Sequence, residues 1–206
     1  MITRKSLHYF SGLTLAFFVG THLLNHFTSL WGADTHIAFM DTLRPIYRNL
    51  FVESLVLMAV AIQIVTGLSM FFAGRKVITG RWGKLQYWSG AYLAIFLLIH
   101  LGAVLAGRFL LALDTNFYFG VAGLNTFPFN LFFTPYYGLA ILCFFGHVAA
   151  IHAKKMKASI LGLTPSAQSK AILIIGLAFT VMVFYGLTNG FSGVAIPEEY
   201  KVLVGG

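Results

Sequence analysis

The sequence predicts an all-α fold, an integral membrane bundle of five helices. Three observations carry that expectation. Of 206 residues, 58% are hydrophobic and only 10% charged, against about 25% charged in a soluble domain. Five apolar runs each approach the roughly 20 residues needed to cross about 30 Å of hydrocarbon. The cations between those runs are shared unequally among the connections, as they are in oriented membrane proteins. The spans take up most of the length, so residues 1–206 are read as a single transmembrane domain.

The first run, Leu7–Leu30, is too long for a signal peptide and lacks a small-residue cleavage pattern. It is read as the first span. After it, Asp34 is placed to cap a short helix. Ile37, Met40, Leu43 and Tyr47 follow at helical spacing, which predicts an amphipathic segment lying on the interface. Pro45 is expected to end or kink it. The second span is Leu50–Ala73 and the third Leu85–Gly107. The stretch Arg108–Pro135 contains Phe117, Phe119, Phe127, Phe129, Phe132 and Phe133, broken by glycine and asparagine. It is too apolar for open water and too interrupted for a clean span. It is read as an interfacial or partly re-entrant cap, with a plain aromatic belt as the alternative. The fourth span is Tyr136–Ala153 and the fifth Ala171–Phe191.

With the N-terminus cytoplasmic, the inner segments hold Arg4, Lys5, Arg75, Lys76, Arg81, Lys84, Lys154, Lys155, Lys157 and Lys170. The outer ones hold Arg44, Arg48, Arg108 and Lys201, making 10 against 4 of the 14 cations. The expected orientation is N-terminus in and C-terminus out, in a cell (inner) membrane or a mitochondrial inner membrane. The net charge of +8 is assigned to orientation and to contact with anionic lipid. The basic residues are too scattered for a nucleic-acid surface.

Cys143 is the only cysteine, which excludes a disulfide within the chain and a covalent Cys-x-x-Cys-His haem attachment. No P-loop, Gly-x-Gly-x-x-Gly or Gly-x-Ser-x-Gly occurs, so nothing points to nucleotide binding or nucleophilic catalysis. The spans hold no acidic residue at mid-membrane and no repeated broken-helix pair, which disfavours a transporter.

Two imidazoles stand out. His22 and His100 lie about two-thirds of the way along the first and third runs, which cross in the same direction. Each is about 15 residues, or about 22 Å, from its inner boundary. An ionisable ring in hydrocarbon is costly and marks a candidate site. Two at one depth suggest a bridged centre, and the leading candidate is a b-type haem held by His22 and His100 as axial ligands of its iron. On the first span Gly12, Ala16, Gly20, His22 and His26 share an arc of roughly 160°. Gly20 is accordingly a candidate for close approach of a flat macrocycle, although a helix–helix seam explains the glycines as well. Thr21 and Asn25 are candidate partners of the ligands. His147 lies deep in the fourth span, with His8 and His152 near the inner boundary. They are candidates for a second inner site, with His8 and His152 read first as interfacial. His36 is expected to be solvated. Glu53 is expected to pair with Arg44 or Arg48, an exposed arrangement of small value.

The order of these motifs resembles the membrane cytochrome b subunit of the succinate dehydrogenase and fumarate reductase superfamily in its five-helix, two-haem form. The stretches that carry the likeness are Tyr9–Asn25, Gln86–His100 and Pro135–Lys155. The resemblance implies one haem b held by His22 and His100, with His147 matching a ligand of a second haem. The other ligand of that second haem would lie on the second span. That span has no histidine and offers Gly67, Leu68 and Ser69 there, with Gln63 a turn above. The family's acidic residue two positions before the fourth-span histidine is Phe145 here. The resemblance further implies electron exchange with a membrane quinone, as an oxidoreductase or a subunit of one, beside a soluble flavoprotein and iron–sulfur partner. The contrasting reading is a haem-free structural or lipid-interacting protein, with His22 and His100 as polar glue worth about 1 kcal/mol.

Overall fold

The computed structural model describes residues 3–74 and 78–205, so Arg75 and Lys76 lie outside the described residues. Among the described residues seven α-helices follow one another: α1 (Arg4–Thr28), α2 (Ala33–Tyr47), α3 (Leu50–Gly74), α4 (Gly80–Phe109), α5 (Phe117–Val121), α6 (Asn130–Lys155) and α7 (Pro165–Leu187). No strand occurs among the described residues. Five of the helices, α1, α3, α4, α6 and α7, are long and apolar enough to cross a membrane. Each packs on the next, and α7 returns to α1, so the five close into a ring. Within that ring α1 packs chiefly on α3, with α7 and α2 beside it.

The helices outrun the apolar stretches because polar residues continue them at both ends. Thr3 caps α1 in a reciprocal box with Ser6, satisfying two otherwise free N–H donors. Thr164 caps α7 ahead of Pro165, a position where the missing N–H costs nothing. The fifth helix therefore begins six residues before the expected Ala171. It stops at Leu187, short of Phe191, because Asn189, Gly190 and Phe191 all take positive φ. The cap expected from Asp34 is not made. Gly32 (φ 101°) holds that position, and Asp34 sits in the first turn, where its charge favours the helix dipole. Nor does Pro45 stop α2, which runs on to Tyr47.

Two glycines make the packing possible. A Cβ on Gly12 would lie 2.8 Å from Nε2 of Gln63 on α3. That amide donates to the His8 carbonyl (2.5 Å) and the Ser11 hydroxyl (3.0 Å), a polar seam of the kind that holds helices together in lipid. A Cβ on Gly186 of α7 would lie 2.7 Å from backbone atoms of Ser29 and Leu30, where no flexible side chain can yield.

The connections distinguish the two ends of the ring. Among the described residues, one end holds Arg4, Lys5, Arg81, Lys84, Lys154, Lys155, Lys157 and Lys170 and no carboxylate. At the other lie all six carboxylates and a folded cap. The stretch after α4 contributes α5 and a 3₁₀ turn, Gly123–Asn125. Phe117, Val121 and Leu124 bury there against Leu23, Ile141, Val183 and Leu187. Asn125 ties the cap together: its amide donates to the carbonyls of Val121 and Leu187, and its oxygen accepts from Val194 N–H. The 3₁₀ helix Glu198–Val204 closes over it, with Tyr200 1% exposed and near the ring of Tyr118.

Candidate functional site

His22 projects from α1 and His100 from α4, and their rings meet across the interior of the helix ring. The centroids are 6.1 Å apart and the planes inclined at 59°. Each is flanked by a phenylalanine one turn earlier on its own helix. Phe18 stacks on His22 at 6.1 Å and Phe96 on His100 at 5.0 Å. Tyr137 of α6 stands edge-on to His100 at 6.3 Å.

Two further histidines join this pair. His26, one turn after His22, places its Nε2 3.1 Å from the Nε2 of His22. Its Nδ1 lies 3.3 Å from Nε2 of His36 on α2. His36 is 2% exposed, under the ring of Phe117 at 5.2 Å. This corrects the expectation of a solvated side chain. The turn at Gly32 folds α2 back on α1, and the apolar stripe of α2 carries His36 inward beside Met40. Burial, then the nearby His22, lower the pKa of His36 from 6.5 to about 4. Asn25 reaches the cluster through Nδ2, 3.3 Å from Nε2 of His36. Thr21 does not, because its hydroxyl bonds the Phe18 carbonyl. Two buried atoms of the cluster, Oδ1 of Asn25 and Nδ1 of His36, have no hydrogen-bond partner among the described residues.

The four rings make a chain rather than a cage. His26 meets its two neighbours with two different nitrogens, so they do not converge on one point. Consistently, no group of three or more His, Cys, Asp or Glu among the described residues is arranged to hold a metal ion. A two-ligand centre is a different test. Metal–imidazole bonds of about 2 Å, with each ring nitrogen roughly 1 Å from its ring centre, place two imidazoles on one metal about 6 Å apart. The observed 6.1 Å between His22 and His100 fits that spacing, and the donor chemistry fits haem iron.

The remaining candidates lie elsewhere. His147 sits toward the basic end of α6, its Nδ1 3.1 Å from the Gln86 carbonyl and 3.2 Å from the Ser89 hydroxyl. It packs over Gly90 of α4, where a Cβ would lie 3.0 Å from its Cε1. Gly20 is exposed, and nothing lies within 4 Å of the place of a Cβ. His8 bonds Thr66 through Nδ1 (2.9 Å), and its Cε1 lies 3.5 Å from a Cβ placed on Gly67. His152 bonds Gln168. Glu53 pairs with Arg108, not with Arg44 or Arg48. Arg44 instead grips Asp114 with both terminal nitrogens and also reaches Asp41. Burial lowers the pKa of Arg48, with Arg44 and Arg108 acting in the same direction.

A groove of about 280 Å³ opens on the outside of the bundle between α4 and α6. Tyr92, Phe96, Phe132, Pro135 and Tyr136 line it. Phe96 thus touches the groove on one side and His100 on the other. Its one trace in the sequence is a set of aromatic residues at helical spacing. No family model, curated protein or solved structure matches the chain.

Proposed function

We propose that this chain is a membrane b-type cytochrome, in which His22 and His100 hold haem iron and the protein exchanges electrons with a membrane quinone. The observation that carries the reading is the 6.1 Å spacing of two imidazoles projecting from α1 and α4. Haem would supply one-electron chemistry at that point. The chain orients the ligands and surrounds them with Phe18, Phe96 and Tyr137. Its folded cap covers the carboxylate end. The groove beside Phe96 gives a membrane-soluble carrier an approach from the side to within one ring of His100.

In this reading the N-terminus is cytoplasmic, the C-terminus is outside, and the membrane is a cell (inner) or mitochondrial inner membrane. The basic end then faces inward and offers a surface to a soluble flavoprotein and iron–sulfur partner. His147, held by a backbone carbonyl through Nδ1, keeps Nε2 free for a second cofactor contact. Ligating histidines commonly anchor their other nitrogen in this way.

One observation favours a second reading. Nε2 of His22 is already engaged by His26, as expected if the histidines are polar glue in a haem-free structural protein. Purification from haem-replete cells separates the two. The first reading expects red protein with the reduced-minus-oxidised spectrum of a b haem, abolished in His22→Ala and His100→Ala and retained in His152→Ala. Colourless protein, or a spectrum unchanged in both ligand variants, overturns it.

A further inference from the structure

We propose that His26, His36 and Asn25 orient His22 and determine which of its nitrogens is open to a metal; this rests on the haem reading above. The argument is one of donors and acceptors. An uncharged imidazole has one N–H and one acceptor nitrogen. Asn25 Nδ2 donates to Nε2 of His36 at 3.3 Å, which makes that nitrogen an acceptor. His26 shares that single lone pair as a second donor, from Nδ1, also at 3.3 Å. With its proton on Nδ1, His26 accepts at Nε2 from the Nε2–H of His22 at 3.1 Å. His22 is left with its lone pair on Nδ1. The tautomer of the ligand is thus fixed three links away, by an amide eleven residues before His36 in sequence.

The arrangement carries a cost that packing alone does not explain. His36 has its proton on Nδ1, and that buried atom has no partner among the described residues. Oδ1 of Asn25 has none either. Unpaired buried polar groups are uncommon and expensive. Apolar residues at 25, 26 and 36 would fill the same space beneath Phe117 without that cost. Histidines that bind metals commonly donate their other N–H to a fixed acceptor, which holds the ring and raises its basicity. His26 is placed to be that acceptor, and α2 supplies its support.

A more basic ligand favours the oxidised metal, so loss of the acceptor favours the reduced one. In the full chain purified with its haem, His26→Phe is expected to shift the reduction equilibrium about tenfold toward the reduced form. That is about 59 mV upward for a one-electron couple. His36→Phe keeps an aromatic ring under Phe117, and its shift is expected to be smaller and in the same direction. His152→Gln, at the opposite end, is expected to leave the potential at the wild-type value. Should His26→Phe fail to accumulate, Asn25→Leu removes the donor that fixes His36 and is read in the same way. Red protein whose potential is unmoved in these cluster variants overturns the orienting role while leaving the haem reading intact. Colourless wild-type protein overturns both.

Discussion

His36 shows how far a single side chain can depart from the neighbourhood its sequence suggests. It lies on the amphipathic helix α2, between polar neighbours Thr35 and Asp34 on one side and the apolar run from Ile37 on the other, yet it is enclosed by His26, Asn25 and Phe117. With its pKa lowered to about 4, the folded chain leaves this ring uncharged at pH 7. The unfolded chain protonates it below about 6.5. Between those values the unfolded state binds more protons, so stability falls as the pH drops from about 6.5 to 4. The cost reaches at most roughly 3 kcal/mol from this group. Unfolding midpoints in detergent, followed over that range, should show the loss in the wild type and a shallower dependence in His36→Phe. Equal slopes would mean that His36 is not buried uncharged. Histidine identity and spacing made His22 and His100 legible as a pair. The burial of His36 was not legible, because it depends on the Gly32 reversal and on Phe117 arriving from a segment far along the chain.

Among the elements, glycine positions separate helix seams from open positions. Gly186 of α7 lies against the backbone of Ser29 and Leu30, whereas Gly20 of α1 faces open space. Gly186→Ala is therefore expected to destabilise the protein by about 1–3 kcal/mol through overpacking. Gly20→Ala should be neutral or slightly stabilising, since alanine is the better helix former. Thermal unfolding of the two variants tests this, and a tolerated Gly186→Ala would contradict the close approach of α7. The Glu53–Arg108 pair links α3 to α4 with both side chains largely covered. Removing either partner strands the other charge, at a cost of roughly 1–3 kcal/mol. Glu53→Gln combined with Arg108→Gln should cost less than the two single changes added together. The long helices were readable from apolar length alone. Their ends were not, because caps such as Thr3 and Thr164, and the left-handed turn at Asn189–Phe191, lie in polar sequence outside the apolar runs.

At the scale of the whole molecule, the five long helices form a ring with a basic end and a capped, acidic end. The reading with the N-terminus inside predicts that a phosphatase fused after residue 206 is active outside the cytoplasmic membrane. A fluorescent protein that folds only in the cytoplasm should stay dark at the same place. The reverse pattern would invert the orientation. The segregation of charge was plain in the sequence. The closure of the ring by α7 on α1, and the meeting of α1 and α4 side chains across it, follow from tertiary packing that no local pattern encodes. The cap has a consequence in time as well as in space. Phe117 covers His36, Tyr118 lies beside Phe117, and Tyr200 seals against Tyr118. The ribosome releases Tyr200 only after all five long helices have emerged. Until then the stack of rings over His36 lacks its last member, so the cap is completed only after every long helix beneath it has been made.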